Sequence, residues 1–395
     1  MNEDDNDIEM NEDDNDKKYS LEEIRNFDLC STKIPDNTLK YLNSIKNTKE
    51  FNKYKSIFLK KNLWNKNKII IKFIGVPYDC SSDQVENKED TLKTIMNLIL
   101  KVDGRNAAKV DPLQNEFYIE YNKIIFDITT STEIKIEKIR VLLQTYVKKV
   151  IKDRFEPICG LDFDFDNNVP NTSDILISFV INKPNKSFYG IDSLNSVGDI
   201  YKEYNDGNKK VEGTLNLGTF SISIIMHEFG HAIGLLHEHQ NSCGFTPKWN
   251  KELIYTYYLI TSGWDTKTVD ENIINLSQYD IMSSYDPKSI MIYSYSSNLT
   301  LNGIGTEQNY TLSPNDVLYI NKIYPKVDMT YSKLVSWYNS VYGTDKWIIV
   351  PGTNVNLMNN ENKFNYLMFI IVVVVVLLVG ILLAIHLIKK MRSKT

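Results

Sequence analysis

Four of the five histidines in this 395-residue chain fall within one 13-residue stretch. Three of them follow the spacing H-E-x-x-H-x-x-G-x-x-H, whose defined positions are His227, Glu228, His231, Gly234 and His237. Packed or surface histidines would need several independent coincidences of spacing to produce this pattern in a histidine-poor chain. The stretch therefore predicts a metal site and constrains the local fold around it.

The first two histidines are predicted to lie on a helix that packs against a core, because apolar residues such as Ile224, Ile225 and Phe229 surround them. On a helix, His227 and His231 are one turn apart and face the same side. Gly234 can end the helix and turn the chain, so that His237 arrives from a loop as a third ligand.

Three neutral imidazoles leave a coordination position open, which is the arrangement of a catalytic zinc ion. We therefore expect one Zn²⁺ ion, which lowers the pKa of a bound water and polarises a carbonyl group. Glu228 follows the first ligand and is predicted to act as general base and then general acid. His239 lies beyond the third ligand, and is predicted to be either solvated or in contact with the ligands.

These residues resemble the active site of the metzincin zinc metalloproteases, and within that clan the astacin-like branch. Residues 285–293 (YDPKSIMIY) are similar to the turn that passes beneath the metal in that clan. The resemblance implies that Met291 is the methionine of this Met-turn and that Tyr293 stabilises the oxyanion. Ile292 stands where astacins commonly have a histidine, and Asn241 stands where many have an arginine.

The resemblance covers residues 62–326 and implies an α+β metzincin fold. In that fold a twisted five-stranded sheet and the active-site helix lie above a cleft, and a small irregular lower lobe carries the Met-turn. Substrate then lies in the cleft as an added strand. Strands are predicted at 64–75, 174–180 and 213–218 and a helix at 136–155, whereas 79–135 has no clear period and is predicted to be an insertion.

The end of the chain contains the longest apolar run. Residues 366–388 carry a single ionisable group, His386. At a rise of 1.5 Å per residue a helix of this length spans about 34 Å, enough to cross a hydrocarbon core of about 30 Å. We expect a single transmembrane helix that contacts the lipid bilayer, preceded by a polar stalk at 327–365 and followed by a basic tail at 389–395.

The first residues of the chain are strongly acidic. Residues 1–18 contain the same acidic sequence twice, at 2–7 and 11–16, and are predicted to be disordered. This segment has neither the basic start nor the apolar run of a secretory signal, which favours tail-anchored insertion with the body in the cytosol. The basic tail after the span favours the opposite orientation. Both orientations stay open, in a virion or a host membrane, and heavy use of Asn, Lys, Ile and Tyr indicates an AT-rich genome.

The segment 19–61 is predicted to be an N-terminal extension or a pro-like segment. Cys30 or Asp28 within it is a candidate to reach the zinc and keep a precursor latent, although a plain structural extension is favoured. The chain has four cysteines, Cys30, Cys80, Cys159 and Cys243. They predict two disulfides in an oxidising compartment and free buried thiols in a reducing one.

The overall composition argues against one function class. A formal net charge of -5 argues against a general nucleic-acid binder. The first hypothesis is a membrane-anchored zinc endopeptidase that acts on a protein or peptide. The alternative is a membrane-anchored binding or host-cell attachment protein that keeps the scaffold with little or no proteolysis. Glu228 favours the protease, because a protein that had lost proteolysis would usually lose this residue.

Overall fold

The structure is a computed structural model, and it describes residues 63–74, 88–101, 111–180, 185–207, 211–240, 247–275 and 285–343. Several predicted segments lie outside these residues: the acidic tail, the whole N-terminal extension with Asp28 and Cys30, residues 344–365 of the stalk, the apolar run at 366–388 and the basic tail. Within the described ranges, no helix is both long enough and apolar enough to cross a membrane.

Five strands form one mixed sheet in the order β2-β1-β3-β5-β4. The strands are β1 (Lys68–Phe73), β2 (Asp162–Asp164), β3 (Ile175–Ser178), β4 (Lys186–Ser187) and β5 (Leu215–Asn216). All neighbouring pairs are parallel except β4 and β5, which are antiparallel and place β4 at one edge. The α+β class and the five-stranded sheet expected from the sequence are confirmed.

The described residues also form helices on both sides of this sheet. They are α1 (Lys88–Lys101), α2 (Pro112–Ile125), α3 (Thr132–Arg154), α4 (Leu194–Asn205), α5 (Ile222–Ala232), α6 (Lys251–Ser262), α7 (Thr266–Val269), α8 (Pro314–Ile323) and α9 (Tyr331–Tyr342). Short turns of 3-10 helix occur at Gly190–Ser193, Glu238–Gln240 and Ser297–Leu299, and a π-helical turn at Asp270–Ile274.

The sheet is buried on both faces, as the alternation along β3 shows. Ile175 and Ile177 belong to the main core, which also includes the apolar side chains of α3 and α5. Leu176, between them, belongs to a smaller cluster with Val197 and Ile200 of α4. Successive side chains of a strand point to opposite faces, so this short strand joins both cores. A third cluster, around Trp249, Tyr258 and Tyr295, forms the core of the part that follows α5.

The long helix α3 agrees with its predicted period, but α1 and α2 were not predicted. On α2, Leu113, Phe117 and Tyr121 are buried at intervals of four residues and pack into the main core. Asp111 caps this helix by accepting from the Leu113 amide at 2.9 Å, and Pro112 occupies the first turn. This Asp-Pro pair was the available signal for a helix start.

The stalk predicted at 327–365 is wrong over its first part. Helix α9 forms there, and its Leu334 and Tyr338 side chains belong to the main core. The Tyr338 hydroxyl donates to the Leu312 carbonyl at 3.1 Å. Leu334 and Tyr338 are one turn apart and lie on the same face of α9. The packed body therefore continues past residue 326 as far as α9.

A buried ion pair joins α2 to α3 and gives a first prediction. Arg154 Nη2 lies 2.8 Å from Asp111 Oδ1, and the two side chains are only 7% and 0% exposed. We expect Arg154→Ala to lower the free energy of unfolding by about 3–5 kcal/mol, because it leaves the Asp111 carboxylate buried and unpaired. Chemical denaturation measures this change.

The exposed pair between Lys149 and Glu116 supplies the matched control, since those side chains are 40% and 58% exposed. Lys149→Ala should cost less than about 1 kcal/mol. Equal losses in the Arg154 and Lys149 variants would contradict the stated role of burial.

Candidate metal centre

Helix α5 carries the first two histidines and is anchored at its carboxyl end by two distant aromatic residues. The Trp64 indole nitrogen donates to the Ala232 carbonyl at 2.8 Å. The Tyr324 hydroxyl donates to the Ile233 carbonyl at 2.7 Å. These bonds satisfy carbonyl groups that the end of a buried helix leaves without intrahelical partners, and they fix where α5 stops.

The structure brings the three predicted ligands together. The candidate ligand atoms of His227, His231 and His237 all lie within 4.8 Å of one another. The rings of His227 and His231, one turn apart on α5, have centroids 4.8 Å apart, and the His237 ring arrives from the following loop at 4.6 Å from His231. Among the described residues, this is the one group of three or more candidate ligands with this proximity.

Backbone carbonyls orient the two helical imidazoles. His227 Nδ1 lies 2.8 Å from the Ile290 carbonyl oxygen, and His231 Nδ1 lies 2.7 Å from that of Leu235. A carbonyl can only accept, so each Nδ1 carries the proton and each Nε2 carries the lone pair; this tautomer is assigned from the bonds. The lone pairs are therefore available to a shared ion.

The positions of the Nε2 atoms fit a zinc ion. His231 Nε2 and His237 Nε2 are 3.1 Å apart, and two nitrogens at about 2.0–2.1 Å from a tetrahedral zinc would be about 3.3 Å apart. His227 Nε2 is buried and has no hydrogen-bond partner. A buried nitrogen without a partner is costly unless something binds it, so the donor set is suited to a metal.

Burial also keeps the ligands in the form that binds a metal. It lowers the pKa of His227 to about 4, against the opposing effect of the hydrogen bond with Ile290. It lowers the pKa values of His231 and His237 well below the usual range for histidine, and the neighbouring imidazoles add to this effect. All three side chains are therefore neutral at pH 7, as ligation requires.

Glu228 follows His227 on α5 and is only 1% exposed. Successive helical residues are 100° apart, so its side chain stands beside the face that bears the two imidazoles. A carboxylate is rarely buried this deeply unless it is paired with another group. The general-base role of Glu228 stays a prediction.

Met291 and Tyr293 also lie at this centre. Met291 is 2% exposed and packs directly beneath α5: a Cβ atom added at Gly230 would lie 2.5 Å from its Sδ atom. The Tyr293 ring centroid is 4.4 Å from that of His237 and 6.0 Å from that of His227. The sequence-predicted Met-turn and its tyrosine are thus brought to the three histidines.

His239 is not solvated, so that alternative is wrong. Its side chain is 1% exposed, and its ring centroid lies 5.1 Å from that of His237 and 4.6 Å from that of Tyr293. Its Nε2 atom is 2.9 Å from the Asn272 carbonyl oxygen, which makes Nε2 the donor. The His239 ring therefore packs against that of His237, one of the candidate ligands.

Comparison with known proteins adds little to this geometry. No family model matches the chain, and no curated protein matches it. One structure of myroilysin has 22% identity and a TM-score of 0.43, covering 68% of this chain and 98% of its own. A crystal structure of myroilysin has 20% identity and a TM-score of 0.39, covering 77% and 93%. Likeness at this level carries no functional information, so the site itself supports the function proposed below.

The turn after α5 depends on Gly234. This residue has φ +97, a conformation that side-chain-bearing residues rarely adopt, and a Cβ atom there would lie 2.8 Å from Leu63 Cδ2. We expect Gly234→Ala to cost about 1–3 kcal/mol of stability and to weaken zinc binding, because the turn delivers His237. Denaturation and zinc titration measure the two effects.

Gly263 is the matched control for this prediction. It also has a positive φ, +66, but no atom lies within 4 Å of an added Cβ. Gly263→Ala should lose about 1 kcal/mol through backbone strain and leave zinc affinity unchanged. A Gly234 variant that binds zinc as tightly as this control would contradict the argument.

The sequence pattern indicated no role for several residues that lie next to the three histidines. The Glu238 amide donates to the Met291 carbonyl at 3.0 Å, and its Oε1 atom accepts from the Asp286 amide at 2.8 Å. The Ile290 amide donates to Asp316 Oδ2 at 2.8 Å. A Ser-x-x-Asp capping pattern at Ser313 signals the start of α8, but no local pattern reveals the bonds between elements.

The cysteine expectations are only partly covered by the described residues. Cys159 is a free buried thiol, and burial raises its pKa to about 11. Cys30, Cys80 and Cys243 lie outside the described residues. A thiol with so high a pKa is inert as a nucleophile or ligand at neutral pH.

Proposed function

We propose that this chain is a zinc-dependent endopeptidase of the metzincin clan, in its astacin-like branch. The observation that carries the proposal is the convergence of three neutral, buried imidazoles beside the buried carboxylate of Glu228. Three protein ligands with an adjacent general base are the set that metal-assisted peptide hydrolysis needs. The motif spacing and the Met-turn support the branch.

The proposed roles follow from placement. His227, His231 and His237 hold the ion, which when bound supplies Lewis-acid polarisation of the scissile carbonyl and a more acidic water. Glu228 accepts the proton of the attacking water and returns it to the leaving amine. Tyr293, whose ring lies against that of His237, donates a hydrogen bond from its hydroxyl group to the developing oxyanion.

A peptide or protein substrate is proposed to bind along β4. Within the described part of the chain, this strand pairs with β5 alone, and it packs against α5. An extended peptide can add to such an edge through main-chain hydrogen bonds. Tyr189, just after β4, has its ring centroid 5.1 Å from that of His231, so a peptide along this edge would pass close to the metal ligands.

A quenched-peptide library tests the proposal on the full-length chain. We expect cleavage that a chelator abolishes and added zinc restores. A fragment for the same assay has to include α9, whose Leu334 and Tyr338 belong to the main core. A folded, zinc-loaded but silent protein would favour the binding or attachment alternative, or a latent form awaiting removal of an N-terminal segment.

Tyr293→Phe probes the proposed oxyanion donor. We expect kcat/KM to fall by about 10²-fold with zinc affinity unchanged, since one hydrogen-bond donor to the transition state is lost. Tyr295→Phe is the control, because that ring packs on Trp249 with centroids 4.7 Å apart and has a hydroxyl of the same kind. Full activity in the Tyr293 variant would contradict its role.

We also propose that residues 366–388 anchor the protein to a membrane as a single span, with 389–395 as a basic tail. The support is the unbroken apolar run and the basic residues after it. Alkaline extraction tests this: the full chain should stay with vesicles, and a chain ending at residue 365 should not. Release of both would contradict the anchor, and protection from added protease would report which side the body occupies.

A further inference from the structure

A buried polar network lies between the Met-turn and the first turn of α8. Four residues with hydrogen-bonded side chains form it, each no more than 7% exposed: Asp286, Ser289, Ser313 and Asp316. We call these residues the turn network. None of them belongs to the metal-binding motif, but short chains of hydrogen bonds connect all four to it.

Asp316 is the centre of this network and accepts three hydrogen bonds. Its Oδ1 atom accepts from the Ser289 hydroxyl at 2.6 Å, and its Oδ2 atom accepts from the amides of Ile290 and Ser313, each at 2.8 Å. A residue that only capped α8 would need the Ser313 amide alone. Two of the three donors instead belong to the Met-turn.

Ile290, which donates to Asp316, also forms a hydrogen bond with a candidate metal ligand. The Ile290 amide donates to Asp316, and the Ile290 carbonyl lies 2.8 Å from His227 Nδ1. Ser289, the other turn residue, donates its hydroxyl to Asp316 and accepts from the Met291 amide at 3.0 Å. The carboxylate therefore fixes the turn on both sides of the carbonyl that orients His227.

A second branch of the network reaches the loop of His237. The Ser313 hydroxyl donates to Asp286 Oδ2 at 2.6 Å, and the Asp286 amide donates to Glu238 Oε1 at 2.8 Å. Glu238 directly follows His237 and donates its own amide to the Met291 carbonyl. The two branches thus join α8 to the first and third candidate ligands.

Burying the carboxylates of Asp286 and Asp316 close together costs free energy. Burial, together with the nearby Asp286 carboxylate, raises the pKa of Asp316 to about 7. Such an arrangement is retained against its cost when it fixes a specific geometry.

We propose that Asp316 is a positioning residue of the metal centre, whose carboxylate holds the Met-turn so that the Ile290 carbonyl fixes the His227 ring. This inference rests on the proposed zinc site. Carbonyl groups that orient metal-bound histidines typically contribute 10–100-fold to metal affinity. Asp316 acts indirectly: it accepts from the Ile290 amide, and the Ile290 carbonyl contacts His227.

Zinc affinity of the full-length chain, measured by competition with a chromogenic chelator, tests the proposal. We expect Asp316→Ala to weaken zinc binding by about 10–100-fold. Asp316→Asn should recover part of this loss and bind about tenfold more weakly than wild type, because an amide oxygen can accept from the two backbone amides but not from all three donors. The visible spectrum of the Co²⁺-loaded protein should change in the alanine variant, since it reports ligand geometry.

Thr330→Ala is the control for the loss of a helix cap. Thr330 caps α9, outside the turn network, by accepting from the Lys333 amide at 3.3 Å. The melting temperature of this variant should fall by about 2–4 °C, with zinc affinity within about threefold of wild type. Equal zinc losses in the Thr330 and Asp316 variants, or none in either, would overturn the proposal.

Two further outcomes separate this inference from the proposed function. If Asp316→Ala does not fold, Asp316→Asn decides, and wild-type zinc affinity in that variant overturns the proposal. A wild-type chain that binds no zinc would overturn the inference and the proposed function together. Zinc binding without peptide cleavage would count against the endopeptidase alone, because the readout here is metal affinity.

Discussion

Glu228→Gln should abolish peptide hydrolysis while leaving zinc bound. Glutamine keeps the size of the side chain but cannot accept a proton at neutral pH, so the attacking water loses its base. We expect kcat/KM to fall by about 10²–10⁴-fold, equivalent to about 3–5 kcal/mol of transition-state stabilisation. Initial rates on a quenched peptide, measured alongside zinc content, test this.

The exposed Glu252 on α6 provides a matched carboxylate for this experiment. Glu252→Gln should retain wild-type rates, since that side chain is exposed and lies outside the motif. If Glu228→Gln retained more than about a tenth of the activity, the general-base role would be wrong. If it lost zinc as well, the residue would be serving the site in another way.

His231→Ala should remove the metal itself. This residue is 0% exposed, and its Nε2 atom lies 3.1 Å from that of His237, at the centre of the ligand set. If about 10 kcal/mol of zinc binding is shared by three ligands, losing one costs about 3 kcal/mol, or about 10²-fold in affinity. Activity should disappear with the metal.

Thermal unfolding gives this prediction a readout that does not depend on activity. A ligand at 100 times its dissociation constant stabilises a folded protein by about 2.7 kcal/mol. Wild type should therefore melt at a higher temperature in zinc than in chelator. At the same zinc concentration His231→Ala, with an affinity about 10²-fold weaker, should keep only about 0.4 kcal/mol of this stabilisation. His239→Gln is the control: it replaces a buried imidazole that contacts His237 from behind, and it should keep the zinc-dependent shift.

The secondary structure was predictable where one apolar face is long and regular. In the helix predicted at 136–155, seven apolar residues recur at intervals of three and four, and all of them are buried on α3: Ile136, Ile139, Leu143, Tyr146, Val147, Val150 and Ile151. Helix α2 was missed because exposed apolar residues on it and just after it blur the period of its buried face. Ile119 on α2 is 49% exposed, and Phe126 and Ile128 just after it are 75% and 95% exposed. Sequence periodicity cannot separate such residues from a core face.

Helix α9 was missed for a related reason. Leu334 and Tyr338 are buried on a helix that also carries Val335, Trp337 and Val341. The predicted stalk as a whole is nevertheless typical of a polar linker, because its later part is rich in asparagine. Only the groove that receives them, formed by elements far away in sequence, makes the segment a packed helix.

Local sequence was enough to predict the chemistry of the candidate metal centre. His227, His231 and His237 lie on one helix and the turn after it, so their spacing sets most of their geometry locally. How these candidate ligands are held could not be predicted, because it depends on contacts between distant segments. The Ile290 carbonyl and the Asp316 carboxylate come from segments about 60–90 residues further along the chain. A hydrogen bond between distant segments leaves no periodic trace in either one, because it depends on how the whole chain packs.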